Sequence, residues 1–126
     1  SMAAAHYKLD NLTAFVDYNG LQIDGKITDV MNPEPIADKF AAFGWNVITV
    51  DGHSYKQIED AIETAKTVKG KPTMVICNCT KGKGVSFMEN NYSWHGTAPN
   101  QEQRDKAIEE LDALMAKIDK EIAEEA

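Results

Sequence analysis

Apolar residues along this chain alternate between short runs rich in β-branched side chains and longer stretches with helical spacing. Leu12, Ala14, Phe15 and Val16 form the first run, closed by Asp17. So continuous a run predicts a strand covered on both faces. Ahead of it, Met2 to Lys8 is alanine-rich and reads as the remnant of a helix (residues 1–8), too short to stand alone. Lys26 to Pro35 reads as a connecting loop. Pro35 suits the first turn of a second helix, because its missing N–H is not needed there. Ile36, Ala37, Phe40, Ala41 and Phe43 give that helix its apolar side, and Gly44 ends it. Trp45 to Val50 is the second predicted strand. Ser54 is a good N-cap for a helix to about Val68, with Ile58, Ala61, Ile62 and Ala65 as its inward stripe. Thr73 to Cys79 is the third strand, and Thr80 to Pro99 is long and irregular. A final helix (100–123) carries Ala107, Ile108, Leu111, Leu114, Met115, Ile118 and Ile122 at helical spacing, with Asp and Glu opposite.

Strands alternating with helices imply a parallel sheet with right-handed crossovers. The expected fold is therefore α/β: a three-layer parallel-sheet unit, read as a single domain over 1–126. Three strands make a small sheet. Phe15, Phe40, Phe43, Trp45, Phe87 and Trp94 are a large aromatic content for it, and the surplus apolar surface predicts a homo-oligomer.

With 126 residues, 43% hydrophobic and 26% charged, the balance is that of one globular domain. No apolar run approaches a membrane span, and the first residues lack the basic start and apolar core of a signal peptide. Ser1 before Met2 reads as a cloning remnant. The net charge of −7 argues against a nucleic-acid partner. Cys77 and Cys79 alternate along an apolar strand, pointing to one face and too close in sequence for an ordinary disulfide. Free thiols in a reducing, cytoplasmic setting are the expectation. Zinc needs more ligands than this pair offers.

The stretch Val16-Asp17-Tyr18-Asn19-Gly20-Leu21-Gln22-Ile23-Asp24-Gly25 carries the most chemistry. A strand ending in Asn-Gly turns sharply, because Gly favours and Asn tolerates positive φ. In a parallel α/β sheet that edge is where ligands bind. An amide side chain and nearby carbonyls suit Mg²⁺ or Ca²⁺, and Mg²⁺ usually takes part of its shell from a substrate phosphate. By spacing alone, Asn19-Gly20 serves equally well as a simple turn. Lys81-Gly82-Lys83-Gly84 is not a Walker loop, which needs a longer glycine-rich run ending in Gly-Lys-Ser/Thr. As residues, it is a solvated basic turn. His95 can donate, accept or shuttle a proton near neutral pH, or simply hydrogen-bond its own loop. His53 reads as a helix-start residue and His6 as inert. Asp17 and Asp24 bracket the Asn19 turn and are expected to accept hydrogen bonds from its N–H groups.

The run from Asp10 through Gly25 resembles the diphosphate-binding domain of transketolase, a thiamine diphosphate enzyme. So does Thr80-Lys-Gly-Lys-Gly-Val-Ser-Phe-Met-Glu-Asn, continuing to Trp94-His95-Gly96. The two runs stand in the family's order and at its separation, and the resemblance covers about Met2 to Leu111. It implies that Asn19 and the backbone oxygen of Leu21 are metal ligands. It also implies that Gly20 lies against the cofactor, that Ile23 packs on the cofactor rings, and that His95 contacts the diphosphate near the reacting centre. The implied cofactors are thiamine diphosphate and Mg²⁺ (or Ca²⁺). The implied reaction is ketol transfer between sugar phosphates, as in the pentose phosphate pathway. The fold becomes a fragment of the thiamine diphosphate-binding fold.

The sequence departs from the family pattern in one respect. No Gly-Asp-Gly precedes the first strand, so one metal ligand, the glycines that approach the diphosphate and the upstream histidines are missing. The pyrimidine-binding domain, with the Glu that activates the cofactor, is also missing. The expectation is a truncated diphosphate-binding domain that is inactive alone and needs the remaining transketolase domains or subunit. Two other readings stand beside it: a non-catalytic α/β interaction module derived from that fold, and a flavodoxin-like nucleotide binder. The latter has no glycine-rich first turn in its favour.

Overall fold

The computed structural model describes residues 1–125. In chain order its elements are α1 (Met2–His6), β1 (Thr13–Tyr18), β2 (Leu21–Gln22), β3 (Gly25–Lys26), α2 (Ile27–Val30), α3 (Ile36–Ala42), β4 (Asn46–Asp51), α4 (Tyr55–Thr67), β5 (Thr73–Asn78) and α5 (Gln101–Glu125). A single 3-10 turn, Tyr92–Trp94, precedes α5. The chain divides into two compact units, one of Ser1–Gly20 with Ile27–Cys79, the other of Leu21–Lys26 with Thr80 onward.

The first unit is built on a parallel sheet of order β1-β5-β4. The last of these strands in sequence takes the middle, with Phe15 and Ile48 flanking Val75 in register. Burial follows from that position: Thr73 through Cys77 are all buried, and Val75 is 0% exposed. One face packs Val50, Val75 and Cys77 under α4, whose small residue Ala61 allows a close approach. The other packs Trp45, Met74 and Ile76 beneath α1 and α3 through Ala4, Ala5, Ile36, Ala37 and Phe40. The unit is thus the expected three layers, and the α/β class holds.

Local chemistry places the ends of these elements where the sequence puts them. Ser54 caps α4, its hydroxyl accepting from the Gln57 N–H at 3.3 Å. Pro35 stands just ahead of α3. Three expectations change. The segment from Lys26 to Pro35, read as a loop, opens with the single helical turn α2. The β1 strand is covered on one face only: Thr13, Phe15 and Asp17 are exposed, with Phe15 at 50%. The cluster under α4 draws on β4 and β5 alone, so an edge strand with an apolar run keeps one side open. Ile62, expected inward, lies on the exposed shoulder of α4.

In the second unit, β2 and β3 form an antiparallel hairpin in which Leu21 faces Lys26 and Gln22 faces Gly25. No pattern of apolar positions announces it, because two-residue strands carry no periodicity. The long helix α5 begins at a reciprocal cap: Asn100 Oδ1 accepts from the Gln103 N–H and Gln103 Oε1 accepts from the Asn100 N–H, both at 2.9 Å. Glu110 fastens α5 to the preceding loop, accepting from the Ser86 N–H at 2.6 Å and the Ser86 hydroxyl at 2.7 Å. No helix among the described residues is long and apolar enough to cross a membrane.

Candidate functional site

The carboxyl edge of the parallel sheet is where a ligand would meet the first unit, and its strand ends are tied together. The Cys79 N–H donates to the Tyr18 carbonyl at 3.1 Å and the Gly52 N–H to the Asn78 carbonyl at 2.9 Å. Asn19 leaves the end of β1 half-buried, and its Nδ2 donates to Asp17 Oδ2 at 3.3 Å. That bond settles which branch of the amide is nitrogen, and so orients the carbonyl oxygen. Gly20 follows at φ +71, a left-handed conformation that glycine adopts at least cost. Its carbonyl accepts from the Ile27 N–H at 3.0 Å, so the backbone returns to the first unit after the hairpin. Asp17, expected to accept from the N–H groups of the turn, accepts from the Asn19 side chain instead.

Asp17 also faces the thiols. Burial pushes the Cys79 thiol up to about 11, and the hydrogen bond and charge of Asp17 push the same way. Cys77 is raised as well, first by burial and then by Asp17. Both cysteines are free, and both line the cluster under α4. Gly52, in the turn after β4, is there for space: a Cβ on it would sit 2.4 Å from Cys79 Sγ and 3.0 Å from Cys77 Cβ. His53 donates its backbone N–H to Asp51 Oδ1 at 2.9 Å and precedes the cap of α4, a helix-start position. His6 ends α1 with its ring edge-on to Tyr7.

Sequence reasoning passed over one pair at this edge. The Tyr18 hydroxyl donates to Glu34, and that bond leads the causes that raise the phenol's pKa. Together they border a cleft of about 320 Å³, with Ile36, Thr49, Ile76 and Asn78 on its other sides. A tyrosine and a glutamate 16 positions apart share no motif, so only the fold reveals them.

Leu21 and Ile23 belong to the second unit, in the hairpin. Leu21 opens β2, and Ile23 in the connecting loop is 63% exposed, an apolar side chain left in water. His95 closes the 3-10 turn and is exposed, its backbone N–H donating to the Tyr92 carbonyl at 3.0 Å. The turn is held from both sides. Asn91 Oδ1 accepts from the Ser93 N–H at 3.0 Å, and the Trp94 indole N–H donates to the Phe87 carbonyl at 3.0 Å. In the Lys-Gly-Lys-Gly run, Glu89 Oε1 accepts from the Gly84 N–H at 2.9 Å and lies 3.7 Å from Lys83 Nζ. The run is thus tied to a carboxylate of its own loop. Of the five residues singled out for the site, Asn19 and Gly20 fall in the first unit and Leu21, Ile23 and His95 in the second.

The donors fit a hard cation in part. An amide oxygen at Asn19 and a main-chain oxygen at Leu21 are what Mg²⁺ accepts while drawing the rest of its shell from phosphate and water. Among the described residues, no group of three His, Cys, Asp or Glu could hold a metal by itself.

The family model described as "Transketolase, thiamine diphosphate binding domain" matches residues 1–122. A 6-deoxy-6-sulfo-D-fructose transketolase subunit of Clostridium sp. (strain MSTE9) is 43% identical over 112 residues, covering 89% of this chain and 41% of its own length. One of the apulose-4-phosphate transketolase subunits, from Phocaeicola vulgatus, is 41% identical over 124 residues, covering 96% of this chain and 43% of its own. The chain thus spans less than half the length of these two relatives. In structure it is similar to transketolase from Campylobacter jejuni, with TM-score 0.79, 33% identity, and coverage of 88% of this chain and 17% of that one.

Proposed function

The chain belongs to the transketolase family of thiamine diphosphate-binding domains, and from that premise we propose that it supplies one part of a thiamine diphosphate and Mg²⁺ site for ketol transfer between sugar phosphates. Asn19 Oδ1 and the Leu21 carbonyl would hold the cation, with Asp17 keeping the Asn19 amide in orientation. Gly20 carries the chain past the diphosphate without a side chain in the way. Ile23 offers its exposed apolar surface to the cofactor rings, and His95 places an imidazole that donates to, or exchanges a proton with, a diphosphate oxygen. When bound, the cofactor supplies the electron sink on which a ketol unit is moved.

The match to the diphosphate-binding family over nearly the whole chain carries this reading. Two oxygen donors and one imidazole do not by themselves complete a Mg²⁺ shell. The chain is therefore inactive alone and works with further transketolase domains or a partner subunit, in a homo-oligomeric assembly. The half-exposed Phe15 face of β1 supports such contacts, and the two free thiols agree with a cytoplasmic setting. That same open face favours the second reading, an interaction module without catalysis.

Calorimetry separates the two readings. Thiamine diphosphate with Mg²⁺ is titrated into this chain alone and into the chain co-purified with a polypeptide carrying the remaining transketolase domains. Binding and ketol transfer are expected only in the second sample, and Asn19→Ala there should abolish the Mg²⁺-dependent part. Micromolar binding by the chain alone refutes the shared site. An assembly indifferent to Asn19→Ala leaves the interaction module as the better account.

A further inference from the structure

Around and beyond Glu110, where it is fastened, α5 carries an exposed apolar stripe. Ile108, Leu111, Met115, Ile118 and Ile122 are spaced alternately three and four residues apart, the a and d positions of successive heptads. All five are exposed, Met115 at 62% and Ile122 at 61%. An apolar seam of this spacing on a long helix is the surface on which another helix packs.

Charge says which helix. Asp105, Asp112 and Asp119 recur every seventh residue along one edge of the stripe, in the e positions. Asp105 is engaged by Gln101 and Arg104, whereas Asp112 and Asp119 have no ion pair among the described residues. The lysines of this half of α5 are turned elsewhere: Lys117 lies 3.7 Å from Glu121, and Lys120 lies 3.8 Å from Glu124. A second copy of α5 offers these aspartates nothing. Antiparallel, the acidic edge meets its own counterpart; parallel, it meets the row of Ala107, Leu114 and Glu121.

We propose that the stripe from Ile108 to Ile122 is a docking surface for an amphipathic helix of a different polypeptide, one with Lys or Arg along the edges of its own apolar stripe. Apolar burial supplies the affinity. The aspartate row selects the partner and rejects both self-pairing and acidic helices.

Two synthetic helices of three heptads test this, each with Ile at a and Leu at d, one with Lys and one with Glu at e and g. They are titrated by fluorescence anisotropy into the full chain. The Lys helix is expected to bind at least about tenfold more tightly than the Glu helix at low salt, with the gap closing as salt is added. Met115→Asp with Ile118→Asp should weaken that binding at least about tenfold. Because it adds negative charge, such a loss cannot come from diffuse attraction to an acidic protein. Both residues are exposed, so the thermal melt should not move. Asp112→Lys with Asp119→Lys should invert the preference. Equal binding of the two helices, binding of neither, or binding untouched by the Met115 and Ile118 changes would overturn the proposal. So would a dimer in sedimentation that Met115→Asp dissolves, since that makes a second copy the occupant.

Discussion

In the first unit, burial runs unbroken along β5 from Thr73 to Cys77. In the second, the buried residues among those described are Gly25 and Val85. The second unit instead spends side chains on hydrogen bonds to its own backbone: Asn91 to Ser93, Glu89 to Gly84, Glu110 to Ser86, Asn100 to Gln103. Removing apolar surface from water is worth about 25 cal/mol per Å², whereas a hydrogen bond exchanged for one with water nets only about 1 kcal/mol. The sheet unit thus draws its stability from a few large, cooperative contributions, and the loop unit from many small, separable ones. A rigid frame with hydrogen-bonded loops that can be adjusted one at a time is a common way to present a ligand site.

The hardest test of that contrast is Val75→Asp. A carboxylate in the middle of β5 has no partner and no water, a cost of several kcal/mol out of a total of about 5–15. The expected result is loss of the cooperative urea transition. An unchanged midpoint would mean that burial is not what holds the sheet.

At the end of the same sheet, burial acts on chemistry. With its thiol pushed up from 9.0 to about 11, Cys79 should react with iodoacetamide at pH 8 about 100-fold more slowly than an unperturbed thiol, as mass-spectrometric mapping would read it. Asp17→Asn should speed that reaction in part, because burial is the larger cause. The folded state holds this proton more tightly than the unfolded chain does. The stabilising contribution is therefore complete below pH 9 and is lost as the pH climbs to about 11. A urea midpoint that falls over that window in the parent and less in Cys79→Ala bears this out; parallel curves would refute it.

Gly52→Ala probes the packing behind those thiols. A methyl group 2.4 Å from Cys79 Sγ must displace it, at about 1–3 kcal/mol. Adding Cys79→Ala should restore part of the loss and leave the rest to Cys77 Cβ and the Asn78 carbonyl, which a double-mutant cycle resolves. Additive losses would place the strain elsewhere.

What the sequence made legible follows the same division. Ser54, Pro35 and the alternation of apolar runs announce α4, α3 and the sheet, because a capping hydroxyl, a fixed φ and a buried stripe are local causes with local signatures. Phe15 misleads for a related reason: an apolar run reports what a strand could bury, and its position at the sheet edge is decided by β5 arriving later in the chain. The Tyr18–Glu34 bond and the fit of Gly52 against Cys79 join distant positions, so no spacing encodes them. Asn19 and Gly20 were readable as a turn from their backbone preferences. The metal role proposed for Asn19 rests on kinship, because an amide oxygen ligand leaves no periodic trace.

The smallest effect is also the sharpest on the contrast between the units. Asn91 Oδ1 accepts from the Ser93 N–H at 3.0 Å and from the Ser93 hydroxyl at 2.6 Å, which is how a cap holds the turn that ends at His95. Asn91→Ala removes that acceptor, and both bonds with it, and should cost about 1 kcal/mol. If the second unit rests on separable hydrogen bonds, that loss stays local. Backbone amides at residues 92–97 should then exchange faster by roughly fivefold, the equivalent of 1 kcal/mol, while those of β5 keep their rates. Faster exchange in both places would show that the two units open as one cooperative body, and the division drawn from their burial would then describe composition without describing stability.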